Sequence, residues 1–285
     1  MTWLNSIDPA LPYWLDCLPF LRQFDAGNFP DCTQLNALLP DGLISQGGHN
    51  IRFVESTELD EDAYEHRIYT TGQVSTRADN WHDLFNAMIW MQFPRIKIAM
   101  NTLHYHAFYR QSEGKRGPLR DALTLFDECG VIVFSKRLDI LRSLAERDWS
   151  TAFRATTFSD DVGLAVSGHA ILEKYLSPYK SITAKALYVH VGDDFLKSPR
   201  KEQLAALDTE IASRLLSAEL LTSPACLAPL PLAGIPGWWP GEQQDDSFYD
   251  DPMVFRAPPA NFVAPGIVNL RRNTRGQTQM HSDIC

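Results

Sequence analysis

The sequence predicts an α+β fold, mostly helical, built as a single domain with a small antiparallel sheet or hairpin and a Pro/Gly-rich extended C-terminal arm. Three observations predict it. Apolar residues recur at helical spacing in long blocks, with Leu204, Leu207, Ile211 and Leu215 forming the clearest row. Short β-branched runs such as ALYVHV, residues 186–191, fall between those blocks. After Ser223, prolines and glycines become too frequent for regular structure, yet Trp238, Trp239, Phe248, Tyr249 and Phe255 make the stretch too apolar to float free. With 285 residues, 45% of them hydrophobic, the chain can bury a sizeable core. No repeat or linker divides it, so residues 1–257 are expected to form one globular unit, with 226–257 as an arm packed on it and 258–285 as a partly ordered tail.

The elements follow in chain order. Pro9, Pro12, Pro19, Pro30 and Pro40 break residues 10–45 into short helices joined by turns. Asn80 is an N-cap candidate, and Asp83 three residues later gives a capping-box-like pattern ahead of Leu84, Phe85, Met88 and Met91. That helix should stop near Phe93, because Pro94 disfavours helical geometry in the residue before it. Pro94 then suits the first position of a second helix through RIKIAMNTLHYH. In RDALTLFDECGVIVFS, two β-rich runs, LTLF and VIVF, flank DECG and predict a hairpin turning at Asp127 to Gly130. LDILRSLAERDW and VGLAVSGHAILEKYL are expected as helices and ALYVHV as a strand, and Ser198-Pro199 opens a long final helix.

Composition excludes several function classes. A formal charge of −9 and a pI near 5.3 argue against an extended nucleic-acid surface, which needs a basic face. The opening residues lack a basic n-region and carry Asp8 and Asp16, unlike a signal peptide, so a cytoplasmic location is expected. The longest apolar stretch, Cys226 to Pro240, is short and interrupted by prolines, so no membrane span is expected. Cysteines at 17, 32, 129, 226 and 285 are odd in number and widely spaced, which suits reduced thiols rather than a disulfide framework or zinc knuckle.

Four stretches occur together and in order: NWHDLFNAMIWMQFPRIKIAMN, RGPLRDALTLFDECGVIVFS, GHAILEKYLSP, and PLPLAGIPGWW with FYDDPMVFR. Over about residues 75–257 the chain resembles the domain-of-unknown-function family numbered 3025. The resemblance implies a bacterial protein of one domain and supplies no catalytic residues.

The chemistry therefore rests on the residues themselves. His82 and Asn86 share a helix face at i, i+4, and Lys97, Asn101 and His104 share another at i, i+4, i+7. A hairpin at Phe93-Pro94 would let both faces line one cleft, with imidazoles as base or ligand and Lys97 balancing an anion. The competing reading is a buried hydrogen-bond network with no cleft. His104 and His106 diverge by about 200° on a helix, which places His106 at the surface. His169 and Glu173 have the i, i+4 spacing that chelates a metal from one helix, but the second histidine and adjacent glutamate of zincin helices are missing. A plain helix-surface contact is the alternative. Asp127 and Glu128 at the predicted turn offer a ligand or general base, with Asp121 a weaker third carboxylate. Lys115, Arg116 and Arg120 form a basic loop that could grip a phosphate or carboxylate, without P-loop spacing. Ser167 lies in no G-x-S-x-G elbow, and Cys129 beside Glu128 lacks an electropositive setting.

These readings converge on a hydrolase or related acid–base enzyme, with a divalent metal as candidate cofactor and a small anionic molecule as substrate. His82, His104, Asp127 and Glu128 are the catalytic candidates; Lys97, Asn86, Asn101, Arg116 and Arg120 would bind substrate; His169 and Glu173 would bind metal. The alternative is a non-catalytic ligand- or protein-binding module whose polar residues are structural and whose aromatic arm contacts a partner.

Overall fold

The computed structural model describes residues 3–55, 61–110, 116–154 and 158–270; Lys115 and the tail 271–285 lie outside the described residues. The first forty residues form 3-10 turns at Trp3–Ser6 and Pro12–Trp14 and two short helices, α1 (Leu18–Leu21) and α2 (Cys32–Asn36). Proline spacing keeps them short. Asp31 opens α2 by a reciprocal capping box with Gln34. Strand β1 (Arg52–Glu55), helix α3 (Glu61–Thr71) and strand β2 (Gln73–Thr76) follow, the two strands pairing in parallel.

Helices α4 (Trp81–Gln92) and α5 (Pro94–Arg110) meet at Phe93, as the proline predicts. Asn80 Oδ1 caps α4 by accepting from Asp83 N at 3.0 Å. The cap is not a reciprocal box, because the Asp83 carboxylate turns away to Arg77, accepting from its backbone N and its guanidinium. The first free N–H groups of α5, on Arg95 and Ile96, donate to Asp208 of a distant helix at 3.1 and 2.9 Å.

The predicted hairpin is replaced by a helix and a strand: α6 (Pro118–Cys129) runs directly into β3 (Gly130–Ser135). LTLF is helical because Pro118 sits at the first helical position and Ala122, Leu123 and Phe126 form one buried stripe. A four-residue apolar run does not by itself distinguish the two states. Helices α7 (Leu138–Glu146), α8 (Trp149–Phe153) and α9 (Phe158–Asp161) lead to β4 (Val162–Val166) and α10 (His169–Lys174). The single helix expected over VGLAVSGHAILEKYL is therefore split, with Ser167-Gly168 ending the strand and starting the helix. Strand β5 (Thr183–His190), α11 (Asp193–Lys197), α12 (Arg200–Leu216), β6 (Ala228–Pro231) and β7 (Ile267–Asn269) complete the order.

The main sheet runs β4-β3-β5-β6, with β7 also on β5. It is mixed: β3 pairs antiparallel with β4 and parallel with β5, and β5 pairs antiparallel with β6 and parallel with β7. Since β6 matches residues 183–186 of β5 and β7 matches 188–190, both share the edge opposite β3. Strand β3 is buried throughout, which explains its unbroken apolar sequence. In the C-terminal stretch, Trp238, Phe248, Tyr249 and Phe255 are buried. Among the described residues, Cys17, Cys32, Cys129 and Cys226 form no disulfide. No helix among the described residues is long and apolar enough to cross a membrane.

Candidate functional site

Helices α4, α6 and α10 meet where a glycine lets two backbones touch. The N–H groups of Ser167 and Gly168 both donate to Gly130 O, at 3.1 and 2.9 Å, pinning the start of α10 to the end of α6. A Cβ on Gly168 would lie 2.6 Å from Glu128 O and overlap Gly130 N, so no larger residue fits this crossing. The crossing sets His169, the first residue of α10, beside Asp127 and Glu128.

His82 of α4 comes between His169 and Glu173 of α10. Its Nδ1 donates to Glu173 Oε2 at 2.9 Å, and its Nε2 lies 3.0 Å from His169 Nε2. The imidazoles stand nearly perpendicular, 80° between planes, so their Nε2 atoms meet edge-on. Glu128 Oε1 lies 3.6 Å from His169 Nε2, and Asp127 Oδ2 lies 3.9 Å from His169 Nδ1. One donor atom each from His82, His169 and Glu128 falls within 4.8 Å of the others. His169 is buried, while the side chains of His82 and Glu128 are 29% and 38% exposed, so the cluster opens to solvent on one side.

Burial holds the His169 pKa down at about 3, with Asp127 opposing the shift and Lys97 and His82 adding to it, which keeps the ring neutral. Burial likewise raises the Glu128 carboxyl above its ordinary range, and the Asp127 charge raises it further. Burial would raise Asp127 too, but the Lys97 ammonium, by its charge and its hydrogen bond, brings it below the usual carboxylate value.

Behind the cluster runs a closed chain of partners. Lys97 Nζ donates to Asp127 Oδ1 at 2.5 Å and to Asn86 Oδ1 at 2.9 Å, and Asn86 Nδ2 bonds Tyr64 OH at 2.9 Å. The ammonium also lies 5.4 Å from the centre of the Trp90 ring. Asn101 Nδ2 donates to the Glu65 backbone oxygen and carboxylate, at 2.9 and 2.6 Å. His104 is buried with Nδ1 unpartnered, on a small cavity lined in part by Tyr64, Glu65, Lys97, Asn101 and Asp127.

The sequence model of the family described as "Protein of unknown function (DUF3025)" matches residues 51–258. The chain belongs to this family. The matched span contains α4, α6 and α10, and hence every residue of the cluster. No curated protein and no solved structure matches the chain.

In this DUF3025 chain the candidate residues divide into three groups. His82, Glu128 and His169 come together, with Asp127 and Glu173 against the outer faces of the two imidazoles. Glu173 and His169, whose spacing predicted a shared metal, do not meet directly: the His82 ring lies between them and bonds to both. Lys97, Asn86, Asn101 and His104 lie inward, in the supporting network and its cavity. Arg116 and Arg120 flank the opposite end of α6: Arg120 is eight residues from Glu128, about 12 Å along the axis. Arg116 pairs there with Asp121 and Thr124, and Arg120 packs over Phe108. His106 is exposed as expected, edge-on to Tyr69. Tyr64, Glu65 and Gly168 escape a reading from spacing, since each acts through a contact distant in sequence. The Cys-Gly and Ser-Gly pairs bounding β3 and β4 were the available signal.

Proposed function

We propose that the chain is a hydrolytic enzyme acting on a small anionic substrate at the junction of α4, α6 and α10. One observation carries the reading: side chains from three helices bring a nitrogen of His82, a nitrogen of His169 and a carboxylate oxygen of Glu128 within 4.8 Å of one another at a point that opens to solvent. A purely structural network satisfies its members internally, as Tyr64, Asn86, Lys97 and Asp127 do. His82 Nε2 and His169 Nε2 instead meet at 3.0 Å with Glu128 Oε1 3.6 Å from the latter, while Glu173 orients the His82 ring from outside. Such a point binds and polarises a water molecule for attack on an ester or phosphoester. The cysteines, odd in number and widely spaced, favour the reducing cytoplasm as its compartment.

The test is turnover of a panel of carboxyl esters, phosphomonoesters and phosphodiesters by the wild-type chain and by His82→Ala and Glu128→Gln. A wild-type activity that falls by about 100-fold or more in both variants, with unchanged circular dichroism, is expected. No turnover of any panel member, or equal turnover in all three proteins, would favour a non-catalytic binding module.

A further inference from the structure

We propose that His82 Nε2, His169 Nε2 and Glu128 Oε1 hold one divalent transition-metal ion of the zinc, cobalt, manganese or iron class. The inference deepens the hydrolytic reading and rests on the same site. Four independent features point to it.

The first is distance. A tetrahedral ion with bonds of about 2.0–2.1 Å separates its ligand atoms by roughly 3.3 Å. The His82 to His169 edge, 3.0 Å, and the His169 to Glu128 edge, 3.6 Å, fall on either side of that value.

The second is the outer shell. Metal-bound imidazoles donate their other N–H to a carboxylate or carbonyl, which leaves the lone pair on the nitrogen facing the ion. Glu173 accepts from His82 Nδ1 at 2.9 Å, and Asp127 faces His169 Nδ1 at 3.9 Å. The His82 ring therefore carries the oriented carboxylate of a ligand histidine, while His169 Nδ1 is buried without a hydrogen-bond partner and has the Asp127 carboxylate, bound by Lys97, as its charged neighbour.

The third is charge. Glu128, Asp127 and Glu173 crowd the two imidazoles, and the buried Lys97 is committed to Asp127. A proton shared between the two Nε2 atoms would close that one gap but leave the Glu128 oxygen without a share. A dication serves all three donors.

The fourth is donor type. Two nitrogens and one carboxylate oxygen suit borderline transition ions, whereas Mg²⁺ and Ca²⁺ prefer oxygen ligands throughout. Three protein ligands leave a position free on the exposed side of His82 and Glu128, the pattern of a catalytic rather than a structural site. A carboxylate or phosphate oxygen binding there would be held by the metal, so an anionic substrate needs no contact with Arg116 or Arg120.

The experiment is calorimetric titration of chelator-treated, dialysed full-length protein with Zn²⁺ and Co²⁺, the cobalt complex also being followed by its visible absorption. One equivalent is expected to bind. His82→Ala and Glu128→Gln, whose parent side chains are partly exposed, should weaken binding most. Glu173→Gln should weaken it about 10- to 100-fold by loosening His82 alone. Circular dichroism of each variant separates lost binding from lost folding. Failure of Zn²⁺, Co²⁺, Mn²⁺ and Fe²⁺ to bind, or affinity unchanged in both His82→Ala and Glu128→Gln, overturns the proposal. Binding without turnover upholds the metal and removes the hydrolytic reading; turnover that survives full chelation does the reverse.

Discussion

Lys97 shows how single residues could be read and where that reading stopped. Its i, i+4, i+7 row with Asn101 and His104 was visible as a polar face on an apolar helix, and the structure buries all three. Their partners could not be read, because Asp127 is thirty residues away on α6 and Glu65 thirty-six away on α3. The same limit applies to His82, whose neighbours His169 and Glu173 lie across the fold. A buried ammonium is tolerated only when paired, so Lys97 and Asp127 should depend on each other. Lys97→Met is expected to cost about 3–5 kcal/mol, since it leaves the Asp127 carboxylate buried without its cation. Adding Asp127→Asn should restore part of that loss, with a coupling on the order of 2 kcal/mol in urea unfolding. Additive losses in the two single variants would show that the pair is not a unit.

At the scale of elements, helices with strong punctuation were the most legible. Asn80, Pro94 and the Leu204 row placed α4, α5 and α12, since caps, prolines and a 3.6-residue stripe are local signals. The hairpin expectation fails at α6, where the buried stripe of Ala122, Leu123 and Phe126 outweighs β-propensity over four residues. How the helices are fastened was equally hidden. The start of α5 is capped from α12 by Asp208, whose pKa burial raises to about 6 against the pull of the two backbone N–H donors. The folded value lies above the unfolded value of about 3.9, so the folded chain binds the extra proton between those pH values. The contribution of Asp208 to stability is therefore greatest below pH 4 and declines as pH rises to 6. Relative to Asp208→Asn, which keeps an acceptor and cannot ionise, wild-type stability should fall by about 3 kcal/mol across that window. Urea midpoints of the two proteins at pH 4 and pH 6.5 measure it, and a constant difference would refute it.

For the whole molecule, helix-rich α+β content was legible from composition, whereas strand order was not. The parallel pairing of β3 with β5 joins residues about fifty-five apart, and β7 returns from residue 267 to extend the same strand. Pairings of that range leave no local pattern, because what selects them is burial on assembly. The arm is the clearest case of such closure. Trp238 stands edge-on to both Tyr13 and Tyr175, 5.8 Å from each, and those two rings stack at 3.9 Å. The N-terminal turns, the helix that carries His169 and the arm thus share one aromatic cluster. If that cluster couples them, removing its central ring should weaken the whole fold rather than release the arm alone. Trp238→Ala is expected to cost about 3–5 kcal/mol, as for other large-to-small changes at buried aromatic sites. Its unfolding should remain one transition, coincident by far-UV circular dichroism and by fluorescence of the remaining six of seven tryptophans. An early fluorescence transition that leaves the helical signal intact would mean that the arm unfolds independently. In that case His82, Glu128 and His169, on α4, α6 and α10, would retain their geometry without it.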